Sequence, residues 1–125
     1  MRIAMTGNKF YILNSTTMIV YNKLIRDKII EKIENNWGTA KHHIAGNEEF
    51  EIKLKEKLVE ESKELNETKN LDEIKNELAD VLKITQEIMI YYNISEEEIK
   101  VIMQKKDEKA GWFDKRIILD EASEF

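Results

Sequence analysis

At 125 residues the chain has the length of one domain with one modest core, and with no proline and four glycines it is poor in helix breakers. A formal net charge of −5 argues against general nucleic-acid binding, which needs a basic face. No apolar run approaches the roughly 20 residues of a membrane span, so no membrane partner is expected. The lack of cysteine excludes disulfides and thiolate metal sites and fits a reducing compartment, which makes the cytoplasm the expected location.

Charged residues make up 36% with both signs interspersed, and apolar residues 42%. That is the balance of amphipathic helices with solvated outer faces around a small core. The expected fold is all-α: an antiparallel helical bundle of four to five helices around a central acidic hairpin. Residues 1–17 form an N-terminal extension, 18–120 the helical domain and 121–125 a C-terminal tail. In the extension, Phe10-Tyr11-Ile12-Leu13 is too short for a secretory leader. It reads either as part of a start-site extension or as a short strand on the bundle's edge.

Leu24, Ile25, Ile29, Ile30 and Ile33 recur as on one side of a helix, which predicts a first helix from Tyr21 to about Asn35. Asn35-Asn36-Trp37-Gly38 ends it, glycine being suited to the left-handed conformation of a helix stop. A loop follows to Gly46, and the adjacent His42 and His43 in it are expected at the surface. A second helix is predicted over about Glu48–Glu67 and a third over about Leu71–Tyr92, with Asn70 as N-cap and Glu73 as its returning acid. Ser95 with Glu98 forms a capping box for the last helix, and Ile94 with Ile99 a hydrophobic staple. Gly111 stops that helix and leaves Trp112–Leu119 as an irregular or extended tail.

Only about four residues separate the second and third helices, so the two should fold as an antiparallel hairpin. At about 100° per residue, Leu54, Leu58 and Leu65 share one stripe, and Glu61 falls inside it where leucine would be expected. Glu64 flanks the same side. On the third helix the apolar stripe is Leu71, Ile74, Leu78, Val81, Thr85, Ile88 and Tyr92, with Glu77 on its border and Asp80 just beyond. With the hairpin's midpoint near Asn70–Leu71, Glu61 comes level with Asp80 and Glu64 with Glu77, the first pair about 14 Å from the turn at 1.5 Å per residue. Four acids brought together without a cation would raise one another's pKa values sharply. Oxygen donors with no histidine or cysteine nearby point to Mg²⁺ or Mn²⁺ rather than zinc. An isolated E-x-x-E is usually no more than a solvated helix face; the two level pairs and the position of Glu61 argue for a metal site.

Glu60-Glu61-Ser62-Lys63-Glu64, twelve residues, then Glu77-Leu78-Ala79-Asp80 resembles the E-E-x-x-E…E-x-x-D signature of the MazG-like all-α nucleoside triphosphate pyrophosphohydrolases. Tyr21-Asn22-Lys23-Leu24-Ile25-Arg26-Asp27-Lys28-Ile29 is similar to the Y-N-K-L-V-R-D-K-I opening of that group's phosphoribosyl-ATP pyrophosphohydrolase-like branch. Lys105 to Leu119, with Gly111-Trp112-Phe113-Asp114-Lys115-Arg116-Ile117, resembles the branch's K-x-x-x-x-G-x-F-x-x-R-I ending. Ile30 stands where the branch usually has proline, and the extension has no counterpart.

The resemblance implies an oligomeric helical bundle, a homodimer or larger, that hydrolyses a nucleoside triphosphate between the α and β phosphates to a monophosphate and pyrophosphate. Such an enzyme would clear unwanted nucleotides or control a pool. By position, Glu61, Glu64, Glu77 and Asp80 would hold Mg²⁺ and carry the catalytic site. Lys23, Arg26, Lys105, Lys109 and Arg116 are the candidate contacts to the nucleotide's phosphates, the arginines leading because a guanidinium grips phosphate bidentately. Glu60 lies off the stripe as a supporting or solvent-facing residue, with a general-base role as the sharper alternative. Trp37, Trp112 and Phe113 can stack on a base, although core packing is the commoner fate of an aromatic ring. Two other readings stand beside this one: phosphoribosyl-ATP as the substrate, or a non-catalytic helical module that uses the acids to bind metal or a basic partner.

Overall fold

A computed structural model describes the backbone of residues 2–6 and 9–13 and the whole of residues 18–124. The rest of the N-terminal extension and Phe125 lie outside the described residues. The chain divides into two compact units, Met1–Ile88 and Met89–Phe125.

The first unit opens with a β-hairpin, strand β1 (Arg2–Thr6) antiparallel to β2 (Lys9–Leu13), with Ile3 opposite Ile12 and Ala4 opposite Tyr11. Of the two readings of Phe10–Leu13, a short strand is present, paired with a strand from the same extension. The body of the chain is all-α. Among the described residues there are four helices: α1 (Ile29–Asn35), α2 (Asn47–Glu67), α3 (Leu71–Tyr91) and α4 (Glu96–Ala110). None is long and apolar enough to cross a membrane.

Helix α1 starts well after the predicted Tyr21. Residues 18–26 have no regular structure, and Asn22 takes a left-handed φ of 47°. Contacts to distant residues override the local helical pattern here. Lys53 Nζ donates to the Asn22 carbonyl at 2.8 Å, and Lys23 and Arg26 reach acids on α2 and α3. At the other end of α1, the Trp37 and Gly38 amides donate to the carbonyls of Glu34 (3.1 Å) and Ile33 (2.8 Å), which closes the helix in a Schellman turn. The left-handed residue of that turn is Trp37, φ 63°, and not the glycine. Gly38 is needed for space instead, since a Cβ there would meet Ile33 Cγ2 at 2.5 Å and the Ile33 carbonyl oxygen at 2.7 Å.

Helices α2 and α3 pack against each other, antiparallel, across the three residues Thr68–Asn70. Thr68 Oγ1 donates to the Leu65 carbonyl at 2.7 Å, and the Glu73 amide donates to Asn70 Oδ1 at 2.9 Å, the expected cap. The core between them is thin. Leu54, 2% exposed, is its one buried apolar residue among those described, and Glu61, 7% exposed, its one buried charged residue.

The inward face of α3 differs in phase from the predicted stripe. Ile74, Glu77, Val81, Ile84 and Ile88 are half-buried, whereas Leu71, Leu78 and Thr85 are exposed. Glu77 thus lies within the contact face and not on its border. The second unit holds the end of α3, closed by a further left-handed residue, Asn93 (φ 55°), together with α4 and the tail. In α4 the capping box is complete: Ser95 Oγ accepts from the Glu98 amide at 3.1 Å, and Glu98 Oε2 accepts from the Ser95 amide at 2.7 Å. Gly111, φ 84°, ends α4 as expected.

Candidate metal centre

Helical rise and a short turn set the level of the acids. Carboxylate oxygens of Glu61 on α2 and of Glu77 and Asp80 on α3 lie within 4.8 Å of one another. Three of the four acids singled out in the sequence thus come together. Glu64 is exposed at the edge of this group, beside Glu61 and Glu77.

Two oxygens in the cluster stand out. Glu61 Oε2 and Glu77 Oε2 are buried and accept no hydrogen bond from any described residue. Glu64 adjoins both carboxyls, and since carboxylates only accept, a bond from it to either forms only when one partner carries a proton. Burial pushes the Glu61 carboxyl above its ordinary value, and the negative charges of Glu64 and Asp80 add to this against an opposing pull from Lys57. Burial likewise raises Glu77, with Glu64 and Glu61 contributing, to about 7. Buried, partnerless carboxylate oxygens are expensive. Hard oxygen donors converging from two helices fit a divalent cation such as Mg²⁺ or Mn²⁺, which satisfies several of them at once.

Cations of the chain itself surround the cluster. Arg26 Nη2 lies 2.9 Å from Asp80 Oδ1, and Lys23 Nζ 3.0 Å from Glu60 Oε1. Lys57, only 15% exposed, bridges Glu60 at 3.3 Å and Glu61 at 3.4 Å. Burial tends to raise Glu60, but its hydrogen bonds from Lys23 and Lys57 outweigh that and hold it below its ordinary value. Glu60 is thus an ionised anchor for two lysines and poorly suited to take up a proton as a general base. Lys57 escaped the sequence reading. Its signal was the spacing to Glu60 and Glu61, three and four residues on.

Of the basic candidates, Lys23 and Arg26 reach the acids, through an extended segment and not the predicted helix. Lys105 and Lys109 on α4 and Arg116 in the tail are exposed in the second unit and form no ion pair among the described residues. Core packing, the commoner fate expected of the rings, is not found: Trp37, Trp112 and Phe113 are all exposed, Phe113 by 95%. His43 is at the surface as expected, 2.7 Å from Glu49. An open groove beside the cluster is lined by Glu64, Glu67, Asp72, Glu73 and Glu77 and by no basic residue, so it favours cations over free phosphate. Compared with known proteins, the chain matches no family model, no curated protein and no solved structure.

Proposed function

We propose that the chain is a Mg²⁺-dependent nucleoside triphosphate pyrophosphohydrolase of the MazG-like all-α kind, adding water across the α–β phosphoanhydride to give a monophosphate and pyrophosphate. The observation that carries the reading is Glu61, a buried carboxylate with a partnerless oxygen facing Glu77 and Asp80 from the opposite helix. Leucine at that position would extend the stripe of Leu54, Leu58 and Leu65, so a chain with no use for the charge has a simpler way to pack. The sequence blocks around Tyr21–Ile29, Glu60–Asp80 and Lys105–Leu119 support the same assignment.

Glu61, Glu77 and Asp80 would hold the ion, with Glu64 completing the set from the edge. When bound, the ion supplies neutralisation and orientation of phosphate oxygens and acidification of a water. Lys23 and Arg26, which meet acids on α2 and α3, would contact the polyphosphate, and the resemblance of the last block alone adds Lys105, Lys109 and Arg116 to that role. The role fits removal of unwanted nucleotides or control of a nucleotide pool in the cytoplasm.

A homodimer or larger homo-oligomer belongs to the same proposal. Ile52 and Val59 on α2, and Leu71, Leu78 and Leu82 on α3, recur at helical spacing yet are exposed, and a second copy would cover them. Sedimentation of the free chain at micromolar concentration checks this.

The decisive experiment is a panel of ribo- and deoxyribonucleoside triphosphates with Mg²⁺, scoring pyrophosphate separately from orthophosphate, with Glu61→Ala as control. Pyrophosphate release that is lost in the mutant and with chelator supports the proposal. Silence from every triphosphate, with the protein folded and metal-bound, redirects it to phosphoribosyl-ATP and then to a non-catalytic metal-binding module.

A further inference from the structure

Arg26 sits where two functions compete for it. Its guanidinium donates to Asp80 Oδ1 at 2.9 Å, so it neutralises one of the three acids that would receive a cation. Its side chain is 62% exposed and therefore also open to an anion arriving from solvent. The contact spans 54 positions of sequence, so it reflects how the chain is folded and not helical proximity.

The segment that carries Arg26 is held elsewhere. Lys23 is fixed on Glu60, and the Asn22 carbonyl on Lys53, neither acid nor carbonyl belonging to the cluster of three. Leu24 and Ile25 between them are half-buried. Release of Arg26 from Asp80 therefore requires only a side-chain swing, while the backbone stays anchored a few residues before it.

We propose that Arg26 is an internal counter-ion for Asp80 in the metal-free protein, displaced from it when a divalent cation binds Glu61, Glu77 and Asp80 and thereby freed to grip a phosphate of the substrate. The inference rests on the metal-site reading above and adds an order of events to it. The arginine guards Asp80 until the ion arrives, and the charge the ion displaces becomes the charge that meets the polyphosphate. The exchange is favourable because a partly exposed ion pair is weak, whereas a divalent cation serves three carboxylates at once, including the two oxygens that Arg26 leaves partnerless.

The chain has three arginines, Arg2, Arg26 and Arg116. Full-length protein labelled with ¹⁵N-arginine therefore gives three side-chain Nε–H signals, and the Arg26 signal is the one missing in Arg26→Lys. Mg²⁺ is titrated into this sample, and its affinity is measured in parallel by calorimetry for wild type, Arg26→Gln, Arg26→Lys and Lys32→Gln. Lys32→Gln is a charge-matched control on the exposed face of α1. The proposal expects the Arg26 signal to move along the Mg²⁺ isotherm. It also expects Arg26→Gln to bind Mg²⁺ about two- to fivefold more tightly, the range set by the loss of one competing surface pair. Arg26→Lys and Lys32→Gln should stay near wild type. A wild-type isotherm with an unmoved Arg26 signal, or with affinity unchanged or weakened in Arg26→Gln, overturns the inference and leaves the metal site standing. No isotherm for Mg²⁺ or Mn²⁺ in any form of the protein overturns the metal site and this inference together.

Discussion

Glutamates do opposite work in the α2–α3 hairpin and at the start of α4. Glu98 accepts from the Ser95 amide, and that bond holds its carboxyl below the ordinary value. Glu96 and Glu97 share the same first turn, where the helix dipole favours negative charge. Glu61 and Glu77 are raised by burial and by their neighbours, and each keeps an oxygen that accepts from nothing among the described residues. Acids of the first kind stabilise the helix that carries them. Those of the second kind oppose the packing around them, a cost that the proposed cation would offset.

Substituting one acid of the costly kind breaks this contrast most sharply. Glu61→Leu should abolish Mg²⁺ binding and lower pyrophosphate release on the order of 100-fold or more, since the ion is asked for several kcal/mol of barrier reduction. The same variant should be more stable than wild type without metal, by about 1–3 kcal/mol, through loss of a buried unpaired acceptor. Urea titration beside the pyrophosphate assay reads both. A variant that loses activity and stability together would mean that Glu61 is a structural partner after all.

A change of pH sharpens the contrast without mutation. Glu77 ordinarily ionises near 4.5 in the unfolded chain and near 7 in the folded one. Between those values the folded state binds more protons, so stability without metal should fall as pH rises from 4.5 to 7 and level off above. Glu61 acts in the same direction. Glu60 and Glu98, held low, contribute the opposite slope at more acid pH. Saturating Mg²⁺ should flatten or reverse the fall, and Glu77→Gln should remove most of it, as followed by the thermal midpoint across the pH series.

The smaller effect belongs to α4. Ser95→Ala removes the capping hydroxyl and should destabilise by about 1 kcal/mol. It should leave the slope of stability against pH between 4.5 and 7 unchanged, because that slope originates in the other unit. Chemical denaturation at two pH values tests both statements.

What the sequence disclosed follows the same division. The limits of α4 were legible because Ser95, Glu98 and Gly111 act within one turn of where they stand. The level of Glu61 with Asp80 was legible too, since helical rise and a turn of three residues leave little freedom. The start of α1 was not. Leu24 and Ile25 fit the helical period, but Lys23 and Arg26 answer to acids 37 and 54 positions away, and nothing local encodes that. The phase of the α3 face differs from the pattern for a related reason. Apolar periodicity runs through Leu71 and Leu78, whereas the observed contact face runs through Glu77, a charge that hydrophobic patterning assigns to the outside. Phosphate contacts in the last block rest on resemblance alone, because the side chains of Lys105, Lys109 and Arg116 form no ion pair among the described residues.

The turn at Trp37 has a dynamic consequence. A bulky residue held at φ 63° carries strain of about 1–2 kcal/mol that glycine would avoid, and it closes a helix of only seven residues with no buried side chain. Helix α1 has little with which to resist fraying, so its amides should exchange with solvent far sooner than those in the middle of α2 and α3. The same short helix follows directly on the segment that carries Arg26. Motion that begins at an ill-fitting tryptophan is therefore available, one helix upstream, to the arginine poised on Asp80.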